Sequence, residues 1–181
     1  MEAPDSAGAF ARVFYALVPP PALRSALGEL ARDAARRAHG RPVPADNIHL
    51  TLAFVGDIAV ARIPALIAIG ASLRTRRMFL DLDRQGSFRR AGVAWIAPSA
   101  PPQALMQLAA AIGRALDADG ISQEARGFHP HLTLARRCRG PYAPLSAGPF
   151  PWLVDHLVLM QSELRIEAAR YRMLSTWSFA S

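Results

Sequence analysis

Lysine is absent from this chain, so all 21 of its basic residues are arginine. Cysteine occurs once, as Cys138, which excludes an internal disulfide framework and a zinc site built on cysteine pairs. No apolar run approaches the ~18 uninterrupted residues of a membrane-spanning helix. The first residues, Met1-Glu2-Ala3-Pro4-Asp5, are acidic and carry no apolar signal segment. The expectation is a soluble, cytoplasmic monomer without membrane association. Charged residues are only 19% of the chain and hydrophobic ones 51%, too apolar a balance for disorder over most of the length. At 181 residues the chain can bury about 70% of its unfolded surface and needs neither metal nor disulfide to fold. The formal charge of +7 suggests an anionic partner, and guanidinium groups form bidentate contacts to phosphate that lysine cannot. Charge alone does not name that partner.

Residues 1–9 read as a flexible tail and 10–181 as one bilobal domain. Strands are expected at Arg12–Val18, Ile48–Val55, Met78–Leu82, Val93–Ala97, Leu132–Ala135, Val154–Ser162 and Tyr171–Phe179. The second is closed by Gly56-Asp57, and Gly86-Ser87-Phe88 reads as a turn region. Helices are expected from Leu23 to Gly40, over 60–74, and over Ala104–Ala118, where Leu105, Leu108, Ile112 and Leu116 share one face. Gly140–Pro151 reads as a Pro/Gly-rich loop. Adjacent strand pairs mixed with strand–helix alternation favour an α+β fold over a regular parallel sheet.

Two pentapeptides are identical: His49-Leu50-Thr51-Leu52-Ala53 and His131-Leu132-Thr133-Leu134-Ala135. They lie roughly half a chain apart, each after a polar or Pro-containing lead-in, as if two related halves each donated one motif. The chain has four threonines, and two of them stand two positions after a histidine. A chance His-x-Thr is expected only ~0.1 times at this composition. In a strand, residues i and i+2 share a face, so each His–Thr pair points one way while the leucines enter the core. Packing about a pseudo-two-fold axis would bring two imidazoles and two hydroxyls to one cleft. One neutral and one protonated imidazole make a general base and a general acid. Hydroxyl donors hold non-bridging oxygens, and no nucleophilic serine, cysteine or carboxylate is needed. The reaction that suits this set is phosphoryl transfer to water, with Arg136 adding a fixed positive charge. A single His-x-Thr in a strand is more often a cross-strand polar pair; its duplication favours catalysis.

With these motifs the sequence resembles the 2H phosphoesterase superfamily, and within it the LigT-like RNA 2′,3′-cyclic phosphodiesterases, also called RNA 2′-5′ ligases. The residues that carry the resemblance are Asn47-Ile48-His49-Leu50-Thr51-Leu52-Ala53-Phe54-Val55-Gly56 and Phe128-His129-Pro130-His131-Leu132-Thr133-Leu134-Ala135-Arg136. It extends from Arg12-Val13-Phe14 through Trp95 to Leu157–Leu164. It implies two similar α+β lobes about a pseudo-two-fold axis, each an antiparallel sheet with helices outside and the cleft between the sheets. It implies metal-independent hydrolysis of a 2′,3′-cyclic phosphate on RNA or a nucleotide to the 2′-phosphate, without a cofactor. In that reading His131 is the proton acceptor, His49 the proton donor, and Thr51, Thr133 and Arg136 bind the phosphate. Relatives often carry Pro and Gly in the turn before the final Tyr; here Ile166 and Ala168 stand in those places. The reverse chemistry, 2′-5′ ligation, uses the same acid–base pair, and a non-catalytic RNA- or nucleotide-binding module is the rival from another class.

His129 shares a face with His131 and is a rim contact; with His49 it would complete a three-histidine metal set, but no nearby acidic or thiol ligand joins it. Phe14, Tyr15, Phe54 and Phe128 are candidates to stack on a base, although strand aromatics are mostly core. The Arg36-Arg37, Arg76-Arg77 and Arg89-Arg90 pairs could follow a nucleic-acid backbone or be solvated surface. His39, His156 and Cys138 read as incidental.

Overall fold

A computed structural model describes residues 9–121, 127–140, 142, 148–163 and 170–181. The first eight residues of the expected tail, and the turn positions Ile166 and Ala168, lie outside the described residues. In chain order the elements are β1 (Phe10–Leu17), α1 (Pro21–Arg37), β2 (Arg41–Pro42), β3 (Leu50–Ala59), α2 (Ile63–Ser72), β4 (Met78–Phe88), β5 (Val93–Pro98), α3 (Gln103–Ala118), β6 (Leu132–Arg136), β7 (Phe150–Val154), β8 (His156–Glu163) and β9 (Arg170–Ser178).

The strand order is β7-β4-β5-β6-β3-β1-β8-β9, with β2 paired to β6. Every pairing between these strands is antiparallel. The order divides into two mirrored halves, β3-β1-β8-β9 and β6-β5-β4-β7, each with a motif strand innermost. Among the described residues these two motif strands pair at one position, Leu50 opposite Leu132. Both leucines are fully buried. The fold is therefore the expected α+β architecture of two repeated halves, and their motif strands are neighbours.

The halves echo each other in local chemistry. Each of α1 and α3 follows a double proline, and Pro21 takes the first helical position of α1, where its missing N–H is no loss. Helix α1 buries Leu27, Leu30, Ala31, Ala34 and Ala35, and α3 buries Leu105, Leu108, Ile112 and Leu116. Helix α1 leaves β1 yet packs on β6, and α3 leaves β5 yet packs on β3. Each helix thus covers the motif strand of the opposite half. No helix among the described residues is long and apolar enough to cross a membrane.

Three expectations need correction. Strand β4 runs through Gly86-Ser87-Phe88, and the turn comes later, at Arg89–Gly92, with Gly92 at φ 60°. Gly86 pairs with Trp95, and a Cβ there would sit 2.3 Å from the indole ring, so the glycine makes room for an aromatic neighbour. Strand β3 likewise continues past Gly56-Asp57: a bulge at Val55 precedes Gly56, which pairs with Val13 at φ 84°, and Arg12 pairs with Asp57. Strand β7 lies partly inside the expected loop. It is the terminal strand, where Pro151 costs no ladder bond, and it turns Trp152 and Val154 into the core.

Because the motif strands meet through one leucine pair, Leu132→Ala should lower stability by about 2–5 kcal/mol. The check is a urea titration, in which the midpoint falls and the slope is unchanged.

Candidate active site

Extending the Leu50–Leu132 register by one residue sets His49 across from Thr133 and Thr51 across from His131. The two motifs are thus interleaved: each histidine faces the other half's threonine. Leu50, Leu52, Leu132 and Leu134 point the opposite way and are buried. Both motif strands then carry a bulge at the same place. In β6, Trp95 pairs with Thr133 and Ala94 with Ala135, which leaves Leu134 as the extra residue. In β3, Ala16 pairs with Thr51 and Tyr15 with Ala53, which leaves Leu52. A bulge of one residue reverses the alternation of faces. Arg136 is thereby turned back to the side of His131 and Thr133, and Phe54 to the side of His49 and Thr51. The site is symmetric in its imidazoles and hydroxyls and asymmetric at the next position, arginine in one half and phenylalanine in the other.

Each ring is tethered in the same way. The Nδ1–H of His49 donates to the Asn47 carbonyl oxygen at 2.7 Å, and the Nδ1–H of His131 to the His129 carbonyl oxygen, also at 2.7 Å. A carbonyl only accepts, so Nδ1 carries the hydrogen and Nε2 is left to take up or release a proton. Burial pushes the His49 pKa down from 6.5 to about 4; its bond to Asn47 opposes that, and Arg136 and His131 add to it. Burial lowers His131 as well; its bond to the His129 carbonyl opposes that, and the nearby charges of Arg136 and the His129 side chain add to it. In the free protein both imidazoles are therefore neutral at pH 7. Arg136 acts on both rings and lines the cavity that holds His49 and Thr133.

Aromatic side chains fix the rings further. The His49 ring lies 4.9 Å from Phe14 at 30° and meets Tyr171 edge-on at 5.0 Å; His131 meets Phe88 edge-on at 5.1 Å. Two of the expected base contacts are corrected by this packing. Phe14 is 3% exposed and forms the floor under His49 together with Ala16, Val158 and Met160. Tyr15, the next residue along, points to the other face, is 0% exposed, and donates its hydroxyl to the Leu66 carbonyl oxygen at 2.5 Å. Phe128 is half-buried against the main core, while Phe54 is 50% exposed.

A cavity of about 210 Å³ is lined by His49, Thr133 and Arg136 with Arg41, Arg137, Asn47 and Tyr171. A second hollow of about 280 Å³ is lined by His131 and His129 with Phe88, Trp95 and Arg84. Thr51 is half-buried on the same side of β3 as His49. The cleft residues that sequence reasoning did not single out are Tyr171, Phe88, Arg41 and Arg137. Phe88 and Tyr171 flank the two histidines in like fashion, a relation that becomes visible only once the strands are paired. Among the described residues no group of three His, Cys, Asp or Glu side chains is placed to hold a metal ion.

Two imidazoles tethered alike, each facing a hydroxyl of the other half across a pseudo-two-fold cleft, define the class of two-histidine phosphoesterases. The chain belongs to the LigT-like phosphoesterases: the family profile described as LigT like Phosphoesterase matches it twice in succession, over residues 17–95 and 96–169. It is 32% identical over 169 residues to the RNA 2′,3′-cyclic phosphodiesterase of Escherichia coli, covering 92% of this chain and 96% of that protein. It is 33% identical over 180 residues to the RNA 2′,3′-cyclic phosphodiesterase of Thermus thermophilus, covering 92% of this chain and 89% of that one. A crystal structure of E. coli LigT complexed with 3′-AMP superposes with a TM-score of 0.86 at 31% identity, over 96% of this chain and all of that one.

The electrostatics of the two rings generate a test. An anion in the cleft stabilises the imidazolium, so it should raise the His49 pKa above about 4. Proton uptake should then accompany binding, and affinity should weaken as pH rises through the bound-state pKa. Histidine ring NMR titrations with and without adenosine 2′-monophosphate check both the starting value and the shift; a His49 that titrates near 6.5 in the free protein would refute the burial argument.

Proposed function

We propose that the protein hydrolyses the 2′,3′-cyclic phosphate at the end of an RNA or on a nucleotide to a 2′-phosphate, without a metal. The observation that carries this reading is the pair of identically tethered histidines, each opposite the other half's threonine. The Nε2 of His131 takes a proton from water as its oxygen attacks phosphorus. The bond from phosphorus to the 3′ oxygen breaks, and His49 Nε2 gives its proton to that oxygen. Exchange with solvent resets the two rings. Thr51 and Thr133 donate to the non-bridging oxygens, and Arg136 balances the charge that builds on them.

The surroundings of the two rings support this division of roles. The His131 tether is exposed, as suits a base that must meet water. The His49 tether is part-buried, with Phe14 and Tyr171 excluding water from the leaving-group side. The pKa of about 4 belongs to the empty cleft; the bound anion raises it, His49 takes a proton from solvent, and the imidazolium so formed is the acid. The relatives named as RNA 2′,3′-cyclic phosphodiesterases support the substrate class.

An oligonucleotide ending in a 2′,3′-cyclic phosphate, incubated in excess chelator, should yield the 2′-phosphate. His49→Ala and His131→Ala should each lower the rate by about 10²-fold or more. Wild-type protein that binds the oligonucleotide and leaves its cyclic end intact would overturn catalysis and make the chain a binding module.

A further inference from the structure

Arg41 and Arg136 stand directly opposite each other where β2 pairs with β6. Opposed residues on antiparallel strands bring their side chains together on one face, and like charges so placed repel. Both line the cavity that holds His49 and Thr133, and so does Arg137. None of the three meets a carboxylate among the described residues, whereas Arg12, Arg24, Arg32, Arg36, Arg62 and Arg172 each pair with one.

The backbone enforces this crowding. Gly40 precedes Arg41, and a Cβ on it would lie 2.9 Å from the Arg136 carbonyl oxygen and 2.8 Å from the Cys138 Sγ. Only a residue without a side chain lets β2 close on β6 there. In an extended strand Arg136 and Arg137 would face opposite sides. Arg137 instead adopts φ 56°, a left-handed conformation disfavoured for any residue with a Cβ, and both arginines line one cavity. Arg136 lowers the pKa of both histidines; Arg41, opposite it on β2, and Arg137, next to it in sequence, extend the cationic lining of the same cavity.

We propose that Arg41 and Arg137, flanking Arg136, form a second phosphate site that takes the phosphate on the 5′ oxygen of the nucleoside whose cyclic phosphate reacts. This rests on the phosphodiesterase reading above. A second anion converts a repulsive cluster into charge-assisted, bidentate contacts. The phosphate has two sources with the same chemistry: the phosphodiester to the preceding nucleotide of an RNA, or the 5′-monophosphate of a free nucleotide. Either way the site selects against a bare nucleoside 2′,3′-cyclic phosphate.

The test compares wild type with Arg41→Gln, Arg137→Asn and the double variant; asparagine tolerates the left-handed backbone. Binding of adenosine 2′-monophosphate and adenosine 2′,5′-bisphosphate is measured by calorimetry. Hydrolysis is measured on adenosine 2′,3′-cyclic phosphate, its 5′-phosphorylated form, and the adenosine dinucleotide with a terminal cyclic phosphate. The readout is the ratio given by the extra phosphate, not either value alone. In wild type it should be roughly tenfold or more in affinity and in kcat/KM, and in the double variant within about twofold of unity. A gain confined to the dinucleotide assigns the site to an RNA strand, and one confined to the 5′-monophosphate to free nucleotides. A wild-type ratio near unity for the 5′-phosphorylated nucleotides and for the dinucleotide alike, or one that survives both substitutions, overturns the second site. If no substrate is hydrolysed but the bisphosphate ratio behaves as expected, the phosphodiesterase reading fails while the phosphate site stands.

Discussion

Everything about this site depends on where two β-sheet halves touch, and their motif strands do so through one pair of leucines. Leu50 and Leu132 lie opposite each other in the pairing between those strands. A single fixed point between antiparallel strands determines the neighbours on either side, so each histidine faces a threonine from the other half. The same alternation that buries the leucines turns the polar pairs outward. Hydrophobic burial and catalytic geometry are therefore one constraint. Any slip by one residue would exchange the leucines with the histidines and threonines and destroy both together.

Symmetry explains how the site is assembled, and its violation explains how it works. The Nδ1 tethers are equal at 2.7 Å, so the halves offer interchangeable acid–base groups. Their surroundings differ. One ring is packed against Phe14 and Tyr171, while the other is flanked by Phe88 beside an open hollow. Past the matched bulges, one half presents Phe54 and the other Arg136. A symmetric cleft would bind a reacting phosphate in two orientations. An arginine on one side and an aromatic on the other gives the cleft a direction, and with it a distinct side for water and for leaving group.

Much of this was legible in the sequence because it follows from local rules. The repeated pentapeptide named His49, Thr51, His131 and Thr133 before any fold was known, and strand periodicity put each pair on one face. The helices were marked by the spacing of Leu105, Leu108, Ile112 and Leu116 and by the flanking prolines and glycines. What escaped was set by partners distant in sequence. Gly86 reads as a turn signal until Trp95 is seen lying across it. Phe14 and Tyr15 are adjacent and chemically alike, yet one supports an imidazole and the other fills the core, because a strand sends them to opposite faces. Arg41 and Arg137 reach the cleft through a two-residue strand and a left-handed residue, neither of which leaves a periodic trace.

The crossed packing of the helices constrains how such a protein can be taken apart. Helix α1 belongs by connection to the strand beside β3, but it covers β6; α3 belongs beside β6, but it covers β3. The final two strands, β8 and β9, complete the half that the first strand began. A fragment ending midway would therefore expose the apolar face of one motif strand and leave one helix with nothing to cover. The duplication visible in the sequence is not a pair of modules joined by a linker. It is an intertwined unit in which each repeat acts as the other's chaperone, so folding is expected to be cooperative across the whole chain rather than half by half.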